Sequence, residues 1–150
     1  MKRPVQAKNL VELGYLHDEP HSKDELDGCL SLAEGFLQVA RNDRFDARVR
    51  YLNAYEAVFQ IATAGLRAMN LRPSQKAGSR AQSIQALAWT LDVEKAVMPI
   101  LIHANRERAE TTYRKTGQVV PGRQEIAALV ATAEGILELA KKRLPRDDRE

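Results

Sequence analysis

The sequence predicts an all-α fold, an antiparallel four-helix bundle with one short accessory helix, and three observations carry that expectation. Ala (21 residues) and Leu (17) dominate the 150-residue chain while β-branched residues are sparse and scattered, a composition that favours helix over strand. Apolar residues recur at alternating spacings of three and four through four long windows, the period of a helix with a covered face. The breaks between windows are short or carry Pro and Gly, and short connections return successive helices antiparallel.

Residues 1–21 hold one brief amphipathic stretch, Leu10, Val11, Leu13 and Leu16, then His17-Asp18-Glu19-Pro20-His21. Proline and acids stop a helix there, so a short helix and a loop are expected. From Ser22, with Glu25 three residues later as in a capping box, the stripe Leu26, Leu30, Ala33, Leu37, Ala40 predicts a helix to about Arg41. A second stripe of Cys29, Leu32, Phe36 and Val39 calls for cover on more than one side. After Asn42-Asp43 the seam Leu52, Tyr55, Phe59, Ala62, Leu66, Met69 predicts a helix over 45–69, paired with the first as a hairpin. A loop over 70–78 and a shorter helix over 79–91 follow, with Trp89 off its stripe and suited to covering an edge.

Asp92 is a plausible cap for a helix from Val93 to about Arg114, in which Pro99 must either bend the helix or shift its start. Its apolar face, Val93, Ala96, Val97, Ile100, Leu101, Ala104, continues into Arg108 and Thr111. Pro121 suits a first helical position, and Ile126, Leu129, Val130, Ala133, Ile136, Leu137, Ala140 define a last helix to about Leu144. The division is thus an N-terminal segment (1–21), a helical bundle (22–144) and a charged tail (145–150) expected to fray. No repeat of solenoid period is visible.

Net charge is only +3, but it is unevenly placed. Residues 12–27 carry Glu12, Asp18, Glu19, Asp24, Glu25 and Asp27 against Lys23, whereas 41–80 carry eight Arg or Lys against Asp43, Asp46 and Glu56. The basic block is compatible with an anionic partner, while a mixed solvated surface is the simpler account, since +3 is ordinary for a domain of this size. One cysteine excludes an intrachain disulfide and suits a reducing, cytoplasmic setting. Neither a signal-peptide core nor a run of about 18 apolar residues is present, so no membrane association is expected. Neither G-x-G-x-x-G nor a P-loop occurs, and no cofactor is expected. Cys29 lies on an apolar stripe and reads as a buried structural thiol. His17 and His21 have a metal-compatible spacing on a helix, but Pro20 lies between them, and no metal site is assigned.

The stretch 102–115 carries the most chemistry. Arg114 and Lys115 at a helix end complement its dipole, while Arg108 falls on the apolar seam, where a permanent charge needs a carboxylate, an open cleft or a phosphate. Glu56 and Glu134 are candidate ion-pair partners. Two segments of the chain resemble the HEPN (higher eukaryotes and prokaryotes nucleotide-binding) domains, small helical bundles that often act as ribonucleases or are inactive relatives of them. Ala54-Tyr55-Glu56-Ala57-Val58-Phe59-Gln60-Ile61-Ala62-Thr63-Ala64 is similar to the family's second-helix pattern, Gln60 standing where relatives often have histidine, and Arg108 to Tyr113 lies where the family places its R-x(4–6)-H motif.

That resemblance implies a phosphate contact for Arg108 and puts Tyr113, not histidine, at the proton-transfer position; counting from Arg106 reaches Tyr113 again. A phenol of pKa about 10 is a poor base at neutral pH, so catalysis is expected to be weakened or lost; if retained, it would be that of a metal-independent endoribonuclease using Arg108 and Tyr113. His103 precedes Arg108 by five residues, about 140° away around the helix, and reaches such a site only from a second subunit. The expected function is RNA or nucleotide binding through Arg106, Arg108, Arg114 and Lys115, in a homodimer. The alternative is a helical interaction protein, such as a toxin–antitoxin component, with a nucleotidyltransferase-like partner that the family resemblance alone suggests.

Overall fold

A computed structural model of the chain describes residues 2–112 and 120–145, and these are mostly helical. In chain order the elements are α1 (Val5–Glu12), β1 (Leu16–Asp18), α2 (Lys23–Arg41), α3 (Ala47–Ala68), β2 (Leu71–Pro73), α4 (Ser79–Gln85), α5 (Leu87–Thr90), α6 (Met98–Thr112) and α7 (Arg123–Arg143). Among the described residues no helix is long and apolar enough to cross a membrane.

The α2 helix begins where the sequence places it. Ser22 Oγ accepts from the Glu25 N–H at 3.2 Å, but the Glu25 carboxylate does not complete the capping box; it turns to Arg67 instead. The stripe Leu26, Leu30, Ala33, Leu37, Ala40 is buried as expected. Five residues connect α2 to α3, and the two run antiparallel, Glu25 of α2 reaching Arg67 near the end of α3. Along α7 the Arg41–Glu134 and Lys141–Glu34 pairs fix a second antiparallel contact with α2.

The α3 helix is the axis of the molecule. Its C-terminal half is buried on nearly every side, including Ala57, Val58, Ile61, Ala62, Ala64, Gly65 and Leu66, because α2, α7, α4, α5 and β2 all pack on it. Small residues permit that approach: a Cβ added at Gly65 would sit 2.8 Å from Thr90 Oγ1. The expected seam is therefore too narrow, and two of its members, Leu52 and Phe59, are only half-buried.

Four expectations need correction. The loops around 16–18 and 71–73 instead pair as a small antiparallel sheet, Leu16 opposite Pro73 and Asp18 opposite Leu71, made possible by Asn70, whose positive φ of 61° turns the chain sharply after α3. The helix expected over 79–91 tightens at Ala86, whose carbonyl accepts from both Trp89 and Thr90 N–H groups, dividing it into α4 and α5. Asp92 is not a helix cap; it has φ 54° and binds Arg143, and α6 starts only at Met98, which leaves Pro99 in the first turn where a missing N–H costs nothing. Pro121 lies ahead of the Gly122 N-cap of α7, where its lack of a donor is equally harmless.

Two apolar clusters result. The larger joins α2, α3, α6 and α7. The smaller packs Ala7 and Leu16 of the N-terminal segment on Leu66, Met69, Leu71 and Ala86, with Trp89 half-buried at its edge. What locks this segment in place is Arg67, 0% exposed. Its guanidinium donates to Glu25 Oε2 at 2.8 Å, to the Glu19 carbonyl at 2.8 Å and to the Pro20 carbonyl at 2.6 Å. Those bonds hold the Glu25 carboxyl below its ordinary pKa. Arg3 adds bonds to the Met69 and Asn70 carbonyls and an ion pair with Asp18, and the Asn70 side chain takes the His21 N–H and meets its Nδ1 at 2.8 Å.

Removing a buried charge strands its partners, so Arg67→Ala should lower the unfolding free energy by about 3 kcal/mol or more. Urea denaturation of the two proteins checks this, and Leu32→Ala at an exposed position of α2 should cost far less by the same measurement.

Candidate functional site

The segment between α3 and α4 crosses the outer side of α3 and, with α6, encloses a cleft of about 680 Å³. Its wall includes Phe59 and Thr63 of α3, residues 72–81, and Asn105, Arg108 and Ala109 of α6. Among the described residues four of the lining side chains are cations, Arg72, Lys76, Arg80 and Arg108, and none is a carboxylate.

Local structure sets where each cation sits. Arg72 follows the Asn70 turn on β2 and is paired to Glu19 and, at 3.1 Å, to Glu25. Lys76 lies over the Tyr15 ring, 4.4 Å from its centroid, and donates to the Leu13 carbonyl. Arg80 is in the first turn of α4, after Gly78, whose φ of 89° supplies the bend. Its guanidinium stacks 4.1 Å from the centre of the Phe59 ring and pairs with Glu56 at 3.2 Å.

Beneath Arg80 the fully buried Tyr55 links α3 to α6. Burial pushes its hydroxyl pKa above the ordinary value, so the group keeps its proton. That proton goes to Asn105 Oδ1 at 2.8 Å, while the phenolic oxygen accepts from Arg80 Nη1 at 3.4 Å. The carboxamide oxygen of Asn105 is thereby committed to Tyr55, which leaves its amino group as the polar end available at the cleft. Glu56, Arg80, Tyr55 and Asn105 form one chain of bonds running down the side of the cleft.

Arg108 is half-buried in the same cleft. Neither carboxylate expected as its partner is available, since Glu56 pairs with Arg80 and Glu134 with Arg41. Among the described residues no carboxylate lies within ion-pair distance of Arg108. Arg106 does not line the cleft; it is solvent-exposed, about 200° around α6 from Arg108. Tyr113, Arg114 and Lys115 lie outside the described residues.

His103 is exposed beside Glu107 and Glu125, at 3.8 and 3.7 Å, on a face away from the cleft. His17 is exposed on β1 and His21 is engaged with Asn70; among the described residues no three metal-ligating side chains converge. Cys29 is half-buried, not enclosed, and desolvation raises its thiol pKa.

Sequence reasoning reached Arg108 and missed Arg72, Lys76, Arg80 and Asn105. The signal for the first three was the basic block over 41–80; Asn105 has no signature of its own, because its role depends on Tyr55 across the fold.

The arrangement presents donors and positive charge to anything that enters, with an aromatic ring beneath one guanidinium. Such a surface suits acceptor-rich anions, and among the described residues no carboxylate or histidine lines it. Tyr55→Phe should leave Asn105 and Arg80 each short of a partner and cost about 1–2 kcal/mol of stability, read as a lower urea midpoint with an unchanged slope. The chain matches no protein-family model and no curated protein sequence.

Proposed function

We propose that the chain is a HEPN-like four-helix protein that binds RNA or a nucleotide through phosphate, and that the cleft between α3, the 72–81 segment and α6 is its binding site. The observation that carries this reading is Arg108: a charged side chain on the apolar side of α6, in a cleft lined by three further cations and with no carboxylate of its own among the described residues. A buried or half-buried guanidinium left without an anion is costly, and a ligand phosphate relieves that cost. Tyr113 in place of the family's histidine supports binding with cleavage weakened or absent.

Phosphate binding by cations releases counterions, so affinity should fall steeply with salt. Arg108→Ala should weaken binding of a single-stranded oligoribonucleotide about tenfold or more and reduce the salt slope by about one. Arg106→Ala, on the opposite face, should have a smaller effect. Fluorescence anisotropy at two salt concentrations, with melting temperatures as the control for folding, checks both. Affinity unchanged in Arg108→Ala would overturn the reading, as would stoichiometric cleavage of the RNA by wild type for the part that concerns catalysis.

A further inference from the structure

Resting on that reading, we infer that the phosphate the cleft selects is a dianionic phosphomonoester, such as a terminal phosphate of RNA or of a mononucleotide, and not an internal phosphodiester. Three observations lead to it.

The first is charge. Arg67, Arg72, Lys76, Arg80 and Arg108 form one basic cluster in and behind the cleft, and the carboxylates paired into it are Glu19, Glu25 and Glu56. Five cations meet three anions, so two positive charges remain among the described residues. A phosphomonoester carries close to two negative charges at neutral pH, a diester one.

The second is the polarity of the donors. Tyr55 holds the Asn105 carboxamide by its oxygen, so Asn105, Arg80 and Arg108 present N–H donors to the cleft, beside the hydroxyls of Thr63, Ser74 and Ser79 and the Gln75 amide. A terminal phosphate brings three strong acceptor oxygens to these donors, whereas an internal diester brings two. Arg80 is also preorganised: stacked on Phe59 and tied to Glu56 and Tyr55, it loses little freedom on binding.

The third is size. A cleft of about 680 Å³ lies in the range of small-ligand sites and takes one nucleotide end, while surfaces that track internal phosphates run along several nucleotides.

The test uses one single-stranded oligoribonucleotide in three forms, with a 5′-phosphate, with a 3′-phosphate and with hydroxyls at both ends, read by anisotropy against the full chain. At least one phosphorylated form should bind about ten- to a hundredfold more tightly than the hydroxyl form. A nucleoside monophosphate and inorganic phosphate serve as competitors. Displacement by both at similar concentration makes free phosphate a sufficient ligand, and stronger displacement by the nucleotide assigns the site to a nucleotide end.

Asn105→Asp keeps an oxygen for Tyr55 but turns a donor into a negative charge; it should remove the preference while the melting temperature is nearly unchanged. If it does not fold, Arg80→Lys, which keeps the charge and loses the fork of donors, should reduce the preference several-fold. Equal binding of all three forms that still depends on Arg108 would overturn this inference and leave the proposed function standing. Absence of binding by every form would overturn both.

Discussion

The interaction on which the rest depends is the clamp around Arg67. A fully buried guanidinium is tolerated only if each of its donors has an acceptor, and here the acceptors come from one short piece of chain, Glu19, Pro20 and Glu25. By satisfying Arg67, that piece is tied to the end of α3, and the consequences spread outward. The β1 strand is placed beside β2, Leu16 is delivered to the smaller apolar cluster, and Arg72 is held on β2 by the same two carboxylates. With β2 fixed, the following segment must cross the outer side of α3 to reach α4, and that crossing forms one wall of the cleft.

The clamp also explains the distribution of charge. The acidic block over 12–27 and the basic block over 41–80 look like opposite surfaces when read along the chain, yet the fold brings their centres together. Asp18 meets Arg3, while Glu19 and Glu25 meet Arg67 and Arg72. Much of the basic block is therefore answered internally. On the cleft itself a local excess remains: Lys76, Arg80 with its single carboxylate, and Arg108 line it together, while Arg44 and Arg50 of the basic block lie elsewhere. Local excess, not the net charge of +3, is what supports an anionic ligand.

The long helices were legible because periodicity is a local property, and the starts of α2 and α3 and the stripe of α7 lie close to where the spacing puts them. The short strands were not, since three-residue segments have no period of their own and form only because Asn70 turns and Arg67 recruits. The shift of α6 to Met98 is the exception that was written in the sequence, as one of the two outcomes Pro99 allows. At the cleft, Arg108 was visible as a charge on an apolar stripe, because that conflict is local. Its neighbours were invisible for the opposite reason: Arg80 and Asn105 are ordinary surface residue types that acquire meaning only through Phe59 and Tyr55. The partner sought for Arg108 in Glu56 or Glu134 was already taken by arginines that a one-dimensional reading could not place beside them.

The most direct test of the account is to watch the arginine side chains themselves. In protein labelled at arginine nitrogen, titration with a single-stranded oligoribonucleotide should shift the Nε–H resonances of Arg108 and Arg80 and leave those of Arg67 and Arg3, which are bonded within the fold, in place. Shifts confined to Arg106 or to other exposed arginines, with Arg80 and Arg108 unmoved at saturation, would contradict the account and move the anion site elsewhere on the surface.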